Sequence, residues 1–273
     1  MSKVPLSYQL KNLKIRERNK EWLTASGVSS ATKLSYYLHI AKSLSLNRRV
    51  IKYLGKDFNY DNPATPLNLQ NYPYEISERI LANMDKHPRA VLDIGGNIGQ
   101  FSVTINHILK NKAKIDTFEP NPYAFEYLEK NTRGEKNIRL FQYGLGEKSE
   151  TITLYFEPTR SAIGSFIKDN AGNDVEERKV KITKDVKKYT KRAHYDLVKI
   201  DVEGYEKYAL SALQGISFDY MFIELSGQAR TKDYDHSVLI TQIQDQFGKF
   251  DIVYCSGVAK DSITLDMLVR FSR

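Results

Sequence analysis

The feature that most constrains this chain is a glycine-rich turn in residues 91–99, whose sequence is VLDIGGNIG. The short apolar run before the turn predicts a buried strand, and the residues after it predict the start of a helix. Gly95, Gly96 and Gly99 allow the backbone to turn sharply and to approach a ligand closely. Asn97 stands where a further glycine is expected, and asparagine tolerates a positive φ better than most residues. The segment therefore predicts the nucleotide-binding turn of an α/β fold.

The cofactor that this turn would bind follows from the residues around it. The dinucleotide fingerprint requires glycine at its first, third and sixth positions, but counted from Gly95 the third is Asn97 and the sixth Gln100. Asp93 favours a cofactor with positive charge near the turn, such as S-adenosylmethionine (SAM), over NAD with its pyrophosphate. Glu119, at the end of the next predicted strand, is placed to accept hydrogen bonds from two ribose hydroxyls. The alternative is a structural Asp93 with glycines that serve packing only; SAM is the preferred prediction.

Acidic residues also close two later apolar runs. In residues 196–204, with the sequence DLVKIDVEG, a continuing strand would place Lys199, Asp201 and Glu203 on one face. Residues 221–224, with the sequence MFIE, end on Glu224 in the same way. In open α/β sheets the ligand crevice lies at the carboxyl ends of the strands. The acids predicted to gather along that rim are Asp93, Glu119, Asp201, Glu203 and Glu224.

Four segments in this order resemble the motifs of the FkbM family of SAM-dependent methyltransferases. They are DIGGNIG at residues 93–99, FEPNP at residues 118–122, Asn131, and KIDVEGYE at residues 199–206. The resemblance covers about residues 88–226. It implies a Rossmann-like class I methyltransferase fold, with a mostly parallel seven-stranded sheet flanked by helices. Members of the family that resemble this chain transfer methyl groups to hydroxyls of sugars, polyketides and other small molecules.

The resemblance also implies which residues bind the cofactor and which line the active site. SAM contacts are expected in the glycine turn, at the end of the second strand and in the loop that passes the adenine. The predicted cofactor-binding residues are Asp93, Gly95, Gly96, Asn97, Gly99, Glu119, Asn121, Tyr143 and Gly144. The predicted catalytic residues are Asp201, Glu203 and Lys199.

Methyl transfer to a hydroxyl requires help with its proton, because a neutral alcohol is a poor nucleophile. Asp201 and Glu203 are the predicted general bases, since crowding among acids raises the pKa of a carboxylate. Lys199 would pair with Asp201 and act in catalysis or only in structure. Alternatively, Asp201, Glu203 and Glu224 would hold Mg²⁺ as hard oxygen ligands, and the metal-free version is preferred. Two other functions remain open: an RNA ribose 2′-O-methyltransferase that uses Asp201 and Glu224, and a SAM-binding module without catalysis.

The positive charge of the chain is concentrated at its N-terminal end. Residues 1–57 hold twelve Lys and Arg against three acidic residues, whereas the whole chain has a net charge of +8. We predict a basic, helical extension and linker over residues 1–73, with one helix at 31–54 and a loop at 58–73, before a methyltransferase domain over 74–273. The basic face is either a solvated helix surface or binds an acidic partner. An anionic small molecule or glycan and a membrane surface are the candidate partners, with nucleic acid not favoured.

The remaining sequence predicts an ordinary soluble enzyme. There is no apolar run long enough to span a bilayer and no secretory signal pattern at the N-terminus. A single cysteine excludes an intrachain disulfide, so a cytoplasmic location is expected. Residues 151–156 and 178–182 are predicted to pair as strands around a polar loop at 161–177.

Overall fold

The computed structural model of the protein describes residues 49–62, 65–157, 160–166, 168, 175–226, 236–256 and 264–272. Most of the predicted basic extension lies outside these residues. The described end of its predicted 31–54 helix is instead a strand, because residues 50–53 alternate between half-buried or exposed and buried positions. Among all the described residues, no helix is long and apolar enough to cross a membrane.

A seven-stranded sheet forms the centre of the molecule. In spatial order its strands are β12 (Phe250–Ser256), β13 (Thr264–Phe271), β11 (Ser217–Ser226), β10 (His194–Ile200), β3 (Ala90–Ile94), β4 (Lys114–Phe118) and β5 (Ile138–Phe141). The strands from β11 to β5 are parallel, while β13 runs antiparallel to both of its neighbours. The predicted mostly parallel seven-stranded sheet of the class I methyltransferase fold is therefore confirmed.

Helices connect and cover these strands. They are α1 (Thr65–Arg79), α2 (Gln100–Ile108), α3 (Pro122–Asn131), α4 (Val186–Thr190), α5 (Glu206–Ser211) and α6 (His236–Phe247), with a 3₁₀ turn at Leu81–Asn83. Apolar residues fill both faces of the sheet, as expected for buried parallel strands. Strand β3 is buried along its whole length, so its carboxyl end is held firmly where the glycine turn begins.

A second sheet lies beside the carboxyl end of the first. It contains β6 (Gly144–Leu145), β9 (Glu176–Thr183), β7 (Glu150–Glu157) and β8 (Arg160–Ser165), in that spatial order. Strands β7 and β9 pair antiparallel, which confirms the predicted pairing of residues 151–156 with 178–182. The predicted polar loop at 161–177 is wrong for its first five residues, which belong to β8, and for its last two, which belong to β9.

The residues before β3 pack against the main domain. A hairpin of β1 (Val50–Tyr53) and β2 (Lys56–Asn59) buries Tyr53 and Phe58 against Ile98 and Ala124. Residues 65–73 are not the predicted loop but the first part of α1, which continues through Pro73. The Ser77 hydroxyl donates a hydrogen bond to the Pro73 carbonyl. The division of the chain at residues 73 and 74 remains a prediction, and that point falls inside α1.

Candidate functional site

The glycine turn after β3 has the backbone that its sequence predicts. Gly95, Asn97 and Gly99 all have positive φ, at 82°, 46° and 92°. The amides of Gly95 and Gly96 both donate to the Phe118 carbonyl at 3.0 Å, so the turn is fixed to the end of β4. A Cβ atom on Gly95 would lie 1.8 Å from the Asp201 carbonyl oxygen. Glycine is therefore required there both for its φ and for close packing against the end of β10.

Glu119 lies directly after β4 and faces the same turn. Its two carboxylate oxygens accept hydrogen bonds from the backbone amides of Asn97 at 2.8 Å and Asn121 at 2.7 Å. Burial raises the pKa of Glu119 from 4.5 to about 7, although these two hydrogen bonds oppose the shift. Each carboxylate oxygen has a further lone pair, so the group still has capacity to accept from a ligand.

Asn121 caps α3 and also faces the cavity. Its side-chain oxygen accepts from the Tyr123 amide at 3.0 Å, as expected of an N-cap residue. The Asn121 side-chain nitrogen is buried, and among the described residues no atom accepts a hydrogen bond from it. Buried polar groups are normally paired, so this nitrogen is a donor available to a ligand.

The turn, Glu119 and Asn121 line one end of a cavity of about 460 Å³ at the carboxyl edge of the sheet. This volume is in the range of small-molecule sites. Seven of the nine predicted cofactor residues line it: Gly95, Gly96, Asn97, Glu119, Asn121, Tyr143 and Gly144. The other two, Asp93 and Gly99, are not among its lining residues. The predicted catalytic residues Lys199, Asp201 and Glu203 also line the cavity, together with Glu224.

Asp93 lies beneath the turn in a buried ionic network. The Lys199 ammonium is 3.5 Å from the Asp93 carboxylate and 3.3 Å from that of Asp201, and it donates to the Gly95 carbonyl at 2.9 Å. Burial lowers the pKa of Lys199, but Asp201 and Asp93 raise it by more, so its ammonium stays charged. Ser102 donates to the second Asp93 oxygen at 2.6 Å. Lys199 therefore connects the glycine turn to the end of β10.

The predicted alternation of Lys199, Asp201 and Glu203 along one strand face is wrong beyond residue 200. Strand β10 ends at Ile200, and the chain then enters a turn in which Glu203 has a φ of 53° and Gly204 a φ of 94°. The Ser165 hydroxyl donates to the Glu203 carbonyl at 3.2 Å, which ties this turn to β8. Asp201 and Glu203 both still line the cavity.

A second cluster of acids lies at the ends of β11 and β13. Glu224 and Asp266 are direct cross-strand neighbours, and both line the cavity. The pKa of Glu224 is raised from 4.5 to about 9, first by the charge of Asp201 and then by burial and by Glu203. Glu224 therefore holds a proton at neutral pH, whereas Asp201 is held next to the Lys199 ammonium.

Helix α1 supplies cavity residues that the sequence analysis did not identify. Asn68, Tyr72, Glu75 and Arg79 follow one another at four-, three- and four-residue steps, and all four line the cavity. Such spacing places them on one helix face, and this signal was present in the sequence. Arg79 pairs with Asp266 at 2.7 Å and so joins α1 to β13. Three further cavity residues were not predicted from the sequence: Phe166, Tyr205 and Asp266.

The predicted alternative of a Mg²⁺ site receives no support from the geometry. Among the described residues, one group of three His or acidic side chains has ligand atoms within 4.8 Å of one another. It consists of His194, Asp196 and Asp219, at the amino edge of the sheet. Asp201, Glu203 and Glu224 do not form such a group.

Comparison with known proteins identifies the family. Residues 93–249 match the family model described as "Methyltransferase FkbM domain", which is more than half of the chain. The chain is also 30% identical over 170 residues to "Hexuronic acid methyltransferase AglP" of Haloferax volcanii. That alignment covers 57% of this chain and 63% of the relative, which is less than two thirds of its length.

Solved structures are more distant. An FkbM methyltransferase from Methylobacillus flagellatus is 14% identical with a TM-score of 0.47, over 87% of this chain and 58% of that one. Aeropyrum pernix fibrillarin, solved with bound SAM, is 12% identical with a TM-score of 0.45, over 81% and 82% of the two chains. The sheet order observed here and the family match carry the conclusion. The chain belongs to the FkbM family of methyltransferases.

Proposed function

We propose that this protein is a SAM-dependent O-methyltransferase that acts on a hydroxyl of a sugar, a glycan or another small molecule. The observation that carries the proposal is the cavity at the carboxyl edge of the sheet, which is lined both by Glu119 beside the glycine turn and by Asp201 after β10. Family membership supports methyl transfer. The name of the relative from Haloferax volcanii, a hexuronic acid methyltransferase, supports a sugar as the acceptor.

The residues around the glycine turn fit SAM. Glu119 is placed to accept from the ribose hydroxyls, because it follows β4 and retains free lone pairs beside two backbone donors. The buried side-chain nitrogen of Asn121 has no partner among the described residues and is available to the adenosine part. Asp93 supplies negative charge beneath the turn, through the ionic network that it shares with Lys199. When bound, SAM supplies a methyl group on a positively charged sulfur.

At the other end of the cavity we assign Asp201 as the general base. The Lys199 ammonium lies 3.3 Å from the Asp201 carboxylate and fixes its position. Glu224 keeps its proton at neutral pH because Asp201, burial and Glu203 raise its pKa to about 9. Glu224 is therefore a hydrogen-bond donor to the acceptor, while Asp201 takes the hydroxyl proton. Lys199 acts as a positioning residue, and Glu203 contributes charge.

The cofactor assignment is tested by calorimetric titration of SAM, with NAD as the control ligand. We expect SAM to bind and NAD to give no heat. We expect Glu119→Gln to weaken SAM binding at least about tenfold, because one charged hydrogen-bond acceptor is lost. Glu126→Gln, on the exposed surface of α3, is the matched control and should bind like the wild type. Binding of NAD in preference to SAM would contradict the proposal.

The base is tested by release of S-adenosylhomocysteine with a simple glycoside such as methyl β-glucopyranoside as the acceptor. We expect Asp201→Asn to bind SAM normally and to lose about 10²-fold or more of the turnover, as is typical for removal of a general base. Glu203→Gln is expected to lose much less. Equal losses in the two variants would overturn the assignment of Asp201.

A further inference from the structure

Part of the acceptor end of the cavity comes from two segments that lie outside the residues matched by the family model. Helix α1 precedes residue 93 and β13 follows residue 249, which are the limits of the match. Between them, the ion pair of Arg79 and Asp266, at 2.7 Å, holds the helix against the sheet edge. Arg79 and Asp266 therefore bring residues from outside the matched range to the part of the cavity that would contact an acceptor.

The charge at this end of the cavity is strongly negative. The lining residues apart from the cofactor end include five acids, which are Glu75, Asp201, Glu203, Glu224 and Asp266. Within the described part of the chain, the cations that line the cavity are Arg79 and Lys199. Both are already paired with acids, Arg79 with Asp266 and Lys199 with Asp93 and Asp201. Even with one proton on Glu224, the acceptor side has a surplus of carboxylate.

Such a surface distinguishes between acceptors by charge. Carboxylates accept hydrogen bonds well from the hydroxyls of a sugar, and bonds to charged acceptors are stronger than neutral ones. A carboxylate on the acceptor would meet like charges at short range and would lose its hydration without gaining a free cation. The relative from Haloferax volcanii is named for a hexuronic acid, a sugar that carries such a group.

We propose that α1 and β13 form the acceptor subsite, and that its carboxylates select an acceptor that presents hydroxyl groups and carries no negative charge. This inference rests on the proposed function and adds the chemical class of its acceptor. Within the subsite, Asp266 is the specificity determinant, because it both adds a negative charge and holds Arg79. Ser256 donates to the same Asp266 oxygen at 3.1 Å and helps to fix it.

The test compares two probes that differ only at C6, the neutral methyl β-glucopyranoside and the anionic methyl β-glucuronide. Each is titrated into the full-length protein saturated with S-adenosylhomocysteine, and binding is followed by saturation-transfer NMR. We expect the neutral probe to bind at least about tenfold more tightly, since juxtaposed like charges cost several kcal/mol. Raising the ionic strength should reduce this preference.

Two variants test the role of the ion pair. Asp266→Asn removes one negative charge and releases Arg79, so we expect the preference for the neutral probe to fall to about threefold or less. Arg79→Gln should strengthen the preference, because Asp266 then has no cation beside it. Asp251→Asn is the matched control. It removes an acid that pairs with Arg270, which lies on β13 like Asp266 but does not line the cavity, and it should leave the preference unchanged.

Three results would overturn the inference while leaving the proposed function in place, provided that the same samples bind S-adenosylhomocysteine. The first is binding of the glucuronide as tight as that of the glucoside by the wild type. The second is an equal effect of Asp266→Asn and Asp251→Asn. The third is the absence of binding by either probe. A sample that is folded and does not bind S-adenosylhomocysteine would instead overturn the proposed function itself.

Discussion

Acidic side chains are paired differently at the amino and carboxyl edges of the central sheet. Towards the amino edge, acids are paired with cations. Asp116, the middle residue of β4, accepts two hydrogen bonds from Arg139, at 2.7 and 2.9 Å, and Lys86 lies 3.8 Å from both Asp196 and Asp219. At the carboxyl edge, acids outnumber the two cations that line the cavity within the described residues, and the pKa values of Glu119 and Glu224 rise to about 7 and about 9.

This difference indicates which edge carries out chemistry. Opposite charges placed together stabilise a fold, whereas acids placed together cost stability and are kept where binding or proton transfer needs them. Lys199, which is buried, holds the carboxyl edge together by contacting Asp93 and Asp201. Variants at each edge test this difference through their stability and their binding of SAM.

The largest effect is expected for Gly95→Ala at the carboxyl edge. The new Cβ would lie 1.8 Å from the Asp201 carbonyl oxygen, and the positive φ of 82° adds strain. We expect a loss of at least about 4 kcal/mol in the free energy of unfolding, measured by urea denaturation. Gly215→Ala is the control at the amino edge, with a φ of 79° and nothing within 4 Å of the new atom. It should cost only about 1–2 kcal/mol, and equal losses would show that the close contact does not matter.

Lys199→Met should be the next most damaging change. The Lys199 side chain is 5% exposed, and its loss leaves two carboxylates near each other without a cation. We expect a loss of about 3–5 kcal/mol in the free energy of unfolding. Lys86→Met, at the amino edge, removes a cation that is 65% exposed and should cost at most about 1 kcal/mol. If the two variants unfold at the same urea concentration, the role given to Lys199 is wrong.

Asp116→Asn and Glu119→Gln should separate stability from binding. Asp116 is buried and also accepts from the Tyr195 hydroxyl at 2.8 Å, so its variant should lose about 2–4 kcal/mol of stability. Its affinity for SAM should not change. Glu119→Gln leaves one backbone amide, of Asn97 or Asn121, facing an NH₂ group, so it should lose about 1–2 kcal/mol of stability, less than Asp116→Asn, while its affinity for SAM falls. The opposite pattern, in thermal melts and calorimetry, would remove the distinction between the two edges.

A smaller effect is expected in the pH dependence of stability. The folded state raises the pKa of Glu224 from 4.5 to about 9, so between these values the folded protein binds more protons than the unfolded chain. Stability from this group is complete below pH 4.5 and is lost as the pH rises towards 9. We expect Glu224→Gln and the wild type to be about equally stable near pH 5, and the variant to become the more stable of the two as the pH rises towards 9. Parallel pH profiles for the two proteins would contradict this.

The sequence predicted the cofactor end of the site better than the acceptor end. The turn at Gly95, the position of Glu119 after β4 and the seven-stranded sheet follow from local patterns: glycine spacing, strand length and an acid at a strand end. The predicted place of Glu203 on a strand face was wrong, because the alternation continues in the sequence after the strand has ended at Ile200, although Glu203 does line the cavity.

The acceptor end depends on contacts between distant parts of the chain. The prolines and asparagines of residues 62–73 favoured a loop, and Pro73 is tolerated inside α1 although it removes one backbone donor. Asp266 reaches the site because β13 runs antiparallel beside β11, which places it opposite Glu224. Arg79 and Asp266 are 187 residues apart, and no local pattern reports such a pairing.

The most direct test of this account is a calorimetric titration of SAM at pH 6 and at pH 8, on the wild type and on Glu119→Gln. A carboxylate with a pKa of about 7 must lose its proton to accept from both ribose hydroxyls. We therefore expect the affinity of the wild type for SAM to rise by about tenfold between pH 6 and pH 8, with a proton released on binding. The variant should bind weakly and equally at both values. No binding of SAM by the wild type, or the same pH dependence in the variant, would contradict the account.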